Sequence, residues 1–104
     1  MNTIIVKILK SDPHSVAAKR ADAEIHFAGG ELDGLKLVGF AVWRKRDGSG
    51  QSVSFPSRHF VVRGERRLFS LLRWIADRSA HDRFADLVLR TYRAEDVKAT
   101  AAQS

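Results

Sequence analysis

The chain has 104 residues, 44% of them hydrophobic and 29% charged, which bounds it to a single domain (1–104) near the lower end of what buries a self-sufficient core. It contains no cysteine, which excludes disulfides, cysteine-ligated zinc and thiol nucleophiles and fits a reducing cytoplasm. A formal net charge of +6 and a pI near 10.3 make polyanions the default partner class, because clustered Lys and Arg release condensed counterions when they neutralise phosphates.

At the N-terminus only Ile4, Ile5 and Val6 run together before Lys7 interrupts, too short a stretch for a signal peptide or a membrane span. The protein reads as soluble and cytoplasmic, with no membrane partner. From Thr3 to Lys10 the β-branched residues Ile4, Val6 and Ile8 alternate with their neighbours, which predicts a strand. Ser11-Asp12-Pro13-His14-Ser15 reads as a turn. The alternation is cleaner from Lys19 to Phe27, with Ala21, Ala23, Ile25 and Phe27 on one face and Arg20, Asp22, Glu24 and His26 on the other. That is a half-buried antiparallel strand.

Gly29-Gly30 closes this strand and Asp33-Gly34 turns the chain into Leu35 to Trp43, a strand covered on both sides. Strict alternation there puts Leu35, Leu37, Gly39, Ala41 and Trp43 on one face, and Lys36, Val38, Phe40 and Val42 on the other. Asp47-Gly48-Ser49-Gly50 supplies hairpin-loop chemistry, so strands 35–43 and 51–55 pair across it and Arg44, Lys45 and Arg46 sit at an exposed tip. Pro56 has no amide donor and so ends or bends a strand. His59 to Arg63 forms another short strand, followed by a turn at Gly64-Glu65. Leu68 to Ile75 fits a helix through Leu68, Leu71, Leu72 and Ile75 and a strand through Phe69, Leu71 and Ile75, and periodicity leaves both open. Ser79 with Asp82 resembles a capping box that starts a helix, with Phe84, Leu87, Val88 and Tyr92 as its apolar stripe and Arg83, Asp86, Arg90 and Arg93 facing water. The ordered core ends near residue 97, and Lys98 to Ser104 reads as a frayed tail.

The charge is local. Between Arg44 and Arg67 lie Arg44, Lys45, Arg46, Arg58, Arg63, Arg66 and Arg67 against Asp47 and Glu65, a surplus of +5 out of the chain's +6. With His59, these seven are the candidate nucleic-acid-binding residues: arginines at a hairpin tip grip phosphates, and exposed aromatics stack on bases. Trp43 and Phe60 are the aromatics placed for stacking, although aromatics mostly supply buried area, which favours core or dimer interface. No groove-reading helix is specified, so sequence-tolerant binding is expected. Asp22, Glu24 and His26 share a face but match zinc spacing poorly and read as a solvated surface. Ser57 and His59 flank Arg58 with no orienting acid to name, and Ser57 reads as a local cap. His14 and His81 look ordinary. No catalytic, metal or cofactor set emerges, and the expectation is a non-enzymatic protein.

The order of elements, the hairpin at Asp47-Gly48, the run of Val53 and Phe55 into Pro56-Ser57-Arg58, Gly64-Glu65, Phe69, Leu72, and a last helix with Phe84, Asp86, Val88, Leu89 and Tyr92 resemble the septation protein SpoVG family of small bacterial nucleic-acid-binding regulators. The similarity covers about residues 19 to 93. It implies a strand at Leu68 to Ile75, hence an α+β fold of about five to six antiparallel strands and one C-terminal helix, assembled as a homodimer that binds DNA or RNA. The chain departs from the family in its apolar Phe60, Val61 and Val62 after the triplet and in its extra strand, Thr3 to Lys10. The alternative expectation is a protein-interaction domain that pairs an exposed strand edge with itself or a partner chain.

Overall fold

A computed structural model describes residues 3–11 and 18–103, so the turn expected through residues 12–15 and His14 lie outside the described residues. The fold is α+β. Strands β1 (Thr3–Lys10), β2 (Lys19–Ala28), β3 (Lys36–Arg44) and β4 (Gln51–Ser54) form an antiparallel sheet in that order, β5 (Ser57–Val62) and β6 (Glu65–Ser70) form a separate two-stranded ribbon, and α1 (Ser79–Gln103) follows. The strands anticipated from the alternation are present; their division into two sheets is not visible in a local pattern.

Pairing of β1 with β2 (Ile4 to Phe27, Val6 to Ile25, Ile8 to Ala23) puts the β-branched residues of β1 on the same face as Ala21, Ala23 and Ile25, which are fully buried. The helix crosses this inner face, touching β1 on one side and β4 on the other. Its Val88 and Tyr92 are buried against Ile25, Phe40 and Val42, with Phe84 and Leu89 packed around them. Burying one such side chain completely contributes roughly 1.5–3 kcal/mol. Small residues at Ala21 and Ala23 let the helix approach the sheet. The outer face of β2 is polar: Lys19 pairs with Asp22 at 2.7 Å, and Glu24 accepts from His26 at 2.9 Å and from Lys36 at 3.3 Å.

The faces expected for β3 need correction. Ile25 pairs with Leu37, but Ala23 pairs with Phe40, so one extra residue is accommodated at Val38-Gly39. That bulge changes the phase of the alternation. Leu37 therefore faces the core together with Phe40 and Val42, instead of lying opposite them. Gly39 has φ of 107°, and a Cβ there would stand 3.1 Å from the Cβ of Pro56. Pro56 itself is buried, between the end of β4 and the start of β5.

Three further boundaries differ from expectation. The turn after β5 is Arg63-Gly64, and β6 already begins at Glu65 and ends at Ser70, so Leu71 to Ile75 belong to neither strand nor helix. The helix is capped by Asp77, whose Oδ1 accepts the Ser79 amide at 2.7 Å and also the Ser79 hydroxyl. The Ser79–Asp82 box does not form; Asp82 instead meets Arg78 at 3.5 Å. The helix spans Ser79–Gln103.

Two outcomes follow from these contacts. Gly39→Ala forces a side chain into the left-handed region and against Pro56, and should destabilise the fold by about 1–3 kcal/mol, read as a lower urea midpoint at unchanged slope. Asp77→Ala should lower the midpoint as well, and Asp77→Asn should lower it less because it keeps an acceptor. The hydrogen bonds from Ser79, side chain first and amide second, hold the Asp77 carboxyl below its ordinary 3.8. A depressed folded-state value means its contribution is present above pH 3.8 and fades as pH falls through the folded value, so wild type and Asp77→Ala should converge in strongly acid solution.

Candidate nucleic-acid interface

The ribbon pairs Ser57 with Ser70, Arg58 with Phe69, His59 with Leu68, Phe60 with Arg67, Val61 with Arg66 and Val62 with Glu65. Alternation then places Arg58, Phe60, Val62, Glu65, Arg67 and Phe69 on one face, and Ser57, His59, Val61, Arg66, Leu68 and Ser70 on the other. Every residue of the two strands is exposed except Phe69, which is half-buried. At the tip, Arg63 and Gly64 have φ of 51° and 80°, the conformation of a two-residue hairpin turn with positive φ at both positions. Asn or Gly is favoured at the first of them, so arginine there holds a cation at the tip at some conformational cost.

The eight predicted residues fall into two groups. Arg58, His59, Arg63, Arg66 and Arg67 are all on the ribbon, with Arg58 and Arg67 on one face, His59 and Arg66 on the other and Arg63 at the tip. Arg44, Lys45 and Arg46 lie at the β3–β4 turn of the larger sheet, where Lys45 donates its amide to Gly50 at 2.9 Å and Gly48 donates to Lys45 at 3.0 Å. Asp47 shapes this turn by accepting the Ser49 amide at 2.9 Å. The Ser49 hydrogen bonds hold the Asp47 carboxyl below its usual range, with Lys45 adding a smaller electrostatic pull. Among the described residues, Arg67 alone of the eight forms an ion pair, with Glu65 at 3.5 Å.

Neither aromatic singled out from the sequence is in the core. Trp43 is 37% exposed on the outer face of the larger sheet and donates from Nε1 to the Ser54 hydroxyl at 2.8 Å. Phe60 is 41% exposed on the ribbon, with the Arg58 guanidinium 5.1 Å from its ring centre and Phe69 edge-on at 5.3 Å. Scans against protein-family models, curated proteins and solved structures find no match for this chain. What the surface can do rests on its own chemistry.

Three residues that the sequence left unassigned extend this surface. Arg73 lies over Phe69 at 5.9 Å and donates from Nε to the Ser70 carbonyl at 2.8 Å; Arg78 lies over Trp74 at 5.8 Å. All three follow β6, and Arg73 and Trp74 fall in the stretch whose periodicity fits two structures at once. The other constellations read from the sequence offer less. Glu24 is engaged by His26 and Lys36, which hold its carboxyl below the usual range, the His26 hydrogen bond most strongly. Ser57 opens β5 opposite Ser70 instead of capping a turn, with His59 two residues on along the same face. His81 is less ordinary than it looked: its ring stacks on Phe55 at 4.2 Å and meets Trp74 at 5.8 Å.

Because Arg63 occupies a backbone conformation that suits asparagine, Arg63→Asn should tighten the ribbon by up to about 1 kcal/mol. Hydrogen exchange of the β5 and β6 amides measures it: the variant slows exchange there and leaves the α1 amides unchanged.

Proposed function

We propose that this protein is a non-enzymatic nucleic-acid-binding regulator of the SpoVG-like type, working as a cytoplasmic homodimer and holding the phosphate backbone through its ribbon and its β3–β4 turn. The observation that carries this reading is the exposed state of the cations: five of the eight stand on a projecting two-stranded ribbon, and of these eight only Arg67 forms an ion pair among the described residues. Elsewhere Lys19, Lys36 and Arg90 sit in ion pairs with Asp22, Glu24 and Asp86. Those of the ribbon are arranged differently. Arginine suits phosphate because its planar fork donates two parallel hydrogen bonds.

Dimerisation belongs to the same proposal. A two-stranded ribbon standing alone is marginal in water, and this one leaves Val61, Leu68 and Leu71 mostly exposed. A second copy is the occupant that reconciles such a surface with a stable protein. Among the described residues, no helix is long and apolar enough to cross a membrane. The same exposed edges support the second reading, a protein-interaction domain that pairs strands and needs no nucleic acid.

Salt and mutation separate the two readings. Replacing Arg44, Arg46, Arg66 and Arg67 with Ala should abolish retention on random oligonucleotides while the circular dichroism spectrum stays unchanged. For wild type, log affinity should fall linearly with log salt, and each phosphate-contacting arginine removed should reduce the slope by about 0.7 on single strands. Strand pairing hardly responds to salt, so retention that is flat in salt sinks the nucleic-acid reading.

A further inference from the structure

A cation within about 6 Å of an aromatic ring centre is attracted by the negative face of the ring. Here three such pairs fall in one short segment: Arg58 over Phe60 at 5.1 Å, Arg73 over Phe69 at 5.9 Å and Arg78 over Trp74 at 5.8 Å. Phe60 and Phe69 touch edge to face at 5.3 Å. Arg73 joins the first part of the row to the second, because it lines both the open hollow beside Phe60, Phe69 and Leu71 and the neighbouring one beside Trp74 and His81. Phe60 and Trp74 are both more than a third exposed, and the guanidinium beside each marks a ring face that a planar group can take by displacing it.

We propose that this row is a stacking track for one nucleic-acid strand, with unpaired bases on Phe60 and Trp74 and the intervening phosphates on Arg58, Arg73 and Arg78. The inference rests on the nucleic-acid reading above and adds the strandedness of the ligand. Bases in a duplex turn their π-faces toward each other, and only unpaired bases offer them to a protein ring. The guanidinium over Phe60 occupies the place a base takes, and when displaced it lies within reach of the phosphate attached to that base. Charge complementarity favours a polyanion over a polypeptide: residues 57 to 73 hold Arg58, Arg63, Arg66, Arg67 and Arg73 against Glu65 alone. Arg78 also meets Asp82 at 3.5 Å, an exposed pair that a phosphate can exchange.

The test compares two probes of equal length and charge in fluorescence anisotropy with the full chain. One is a deoxythymidine oligomer of about 16 nucleotides, the upper end of known stacking-groove site sizes, and the other its abasic counterpart. Wild type should bind the thymidine oligomer at least about tenfold more tightly. Phe60→Leu with Trp74→Leu should reduce that affinity to the wild-type abasic value, with an unchanged circular dichroism spectrum reporting an intact fold. Should the double variant fail to fold because Trp74 touches His81, Phe60→Leu alone carries the test with a loss of about tenfold, and Phe60→Tyr should restore the preference. Equal affinity of wild type for the two probes, or a thymidine preference that survives loss of the rings, overturns the stacking track and leaves the phosphate reading standing. If wild type binds neither probe, the nucleic-acid reading fails and the track with it.

Discussion

Pro56 lying against Gly39 is the contact on which the arrangement of this molecule depends. The bulge in β3 gives Gly39 its φ of 107° and clears the space that a Cβ would fill at 3.1 Å from the proline ring. Pro56 cannot donate to a sheet, so the larger sheet stops after Ser54. Its carbonyl, however, accepts the Leu71 amide at 2.8 Å, one rung beyond the Ser57–Ser70 pair. The residue that terminates one sheet is thus the base of the other. The ribbon is tied to the body where it leaves and where it returns, and needs few contacts along its length.

Phe55, next to that proline, ties in the helix. Its ring lies 5.3 Å from Phe40 of β3, 5.8 Å from Phe84 of α1 and 4.2 Å from His81 at the start of α1. Ring pairs of this kind add about 0.5–1.5 kcal/mol each beyond the area they bury. The helix N-terminus is therefore held close to the root of the ribbon, which brings Trp74 and Arg78 into the neighbourhood of Arg73 and Phe69. A cap at Asp77 suits this placement, because the chain must leave the irregular stretch after Ser70 and enter the helix without unsatisfied amides.

The elements were legible in the sequence where burial imposes a period. Alternation in β1 and β2, and the stripe of Phe84, Val88 and Tyr92, read correctly because one face of each meets the core. The bulge was not legible, since a single inserted residue at Val38-Gly39 leaves both halves of β3 looking regular and changes only their relative phase. The separation of β5 and β6 from the other strands was hidden for a different reason: local pattern records that a segment is extended and says nothing about its neighbour. Arg73 and Trp74 were not legible because the Leu68 to Ile75 window supports both periods, and neither they nor Arg78 could be read as partners because a cation over a ring is a tertiary contact. The basic cluster was legible as composition; its partition between a ribbon and a turn on another sheet was not.

That partition has a physical consequence for the proposed role. Exposed charges interact by about 1 kcal/mol at 4 Å in water and are screened over about 8 Å at physiological salt. The β3–β4 turn and the ribbon therefore act on a ligand by touching it, and charge on one sheet does little for a phosphate held at the other. A ligand that uses both must follow the protein surface from one sheet to the other. Duplex DNA resists such bending over a persistence length of about 150 base pairs, whereas an unpaired strand turns at every nucleotide. The guanidiniums over Phe60, Phe69 and Trp74 fit the same demand. Each exposed pair is worth about 0.5–1 kcal/mol, less than the 1–3 kcal/mol of a stacked base, so exchanging arginine for base is downhill while the released cation moves to phosphate. On the proposed reading, the ligand for which both halves of this surface act together is a flexible polyanion with accessible bases.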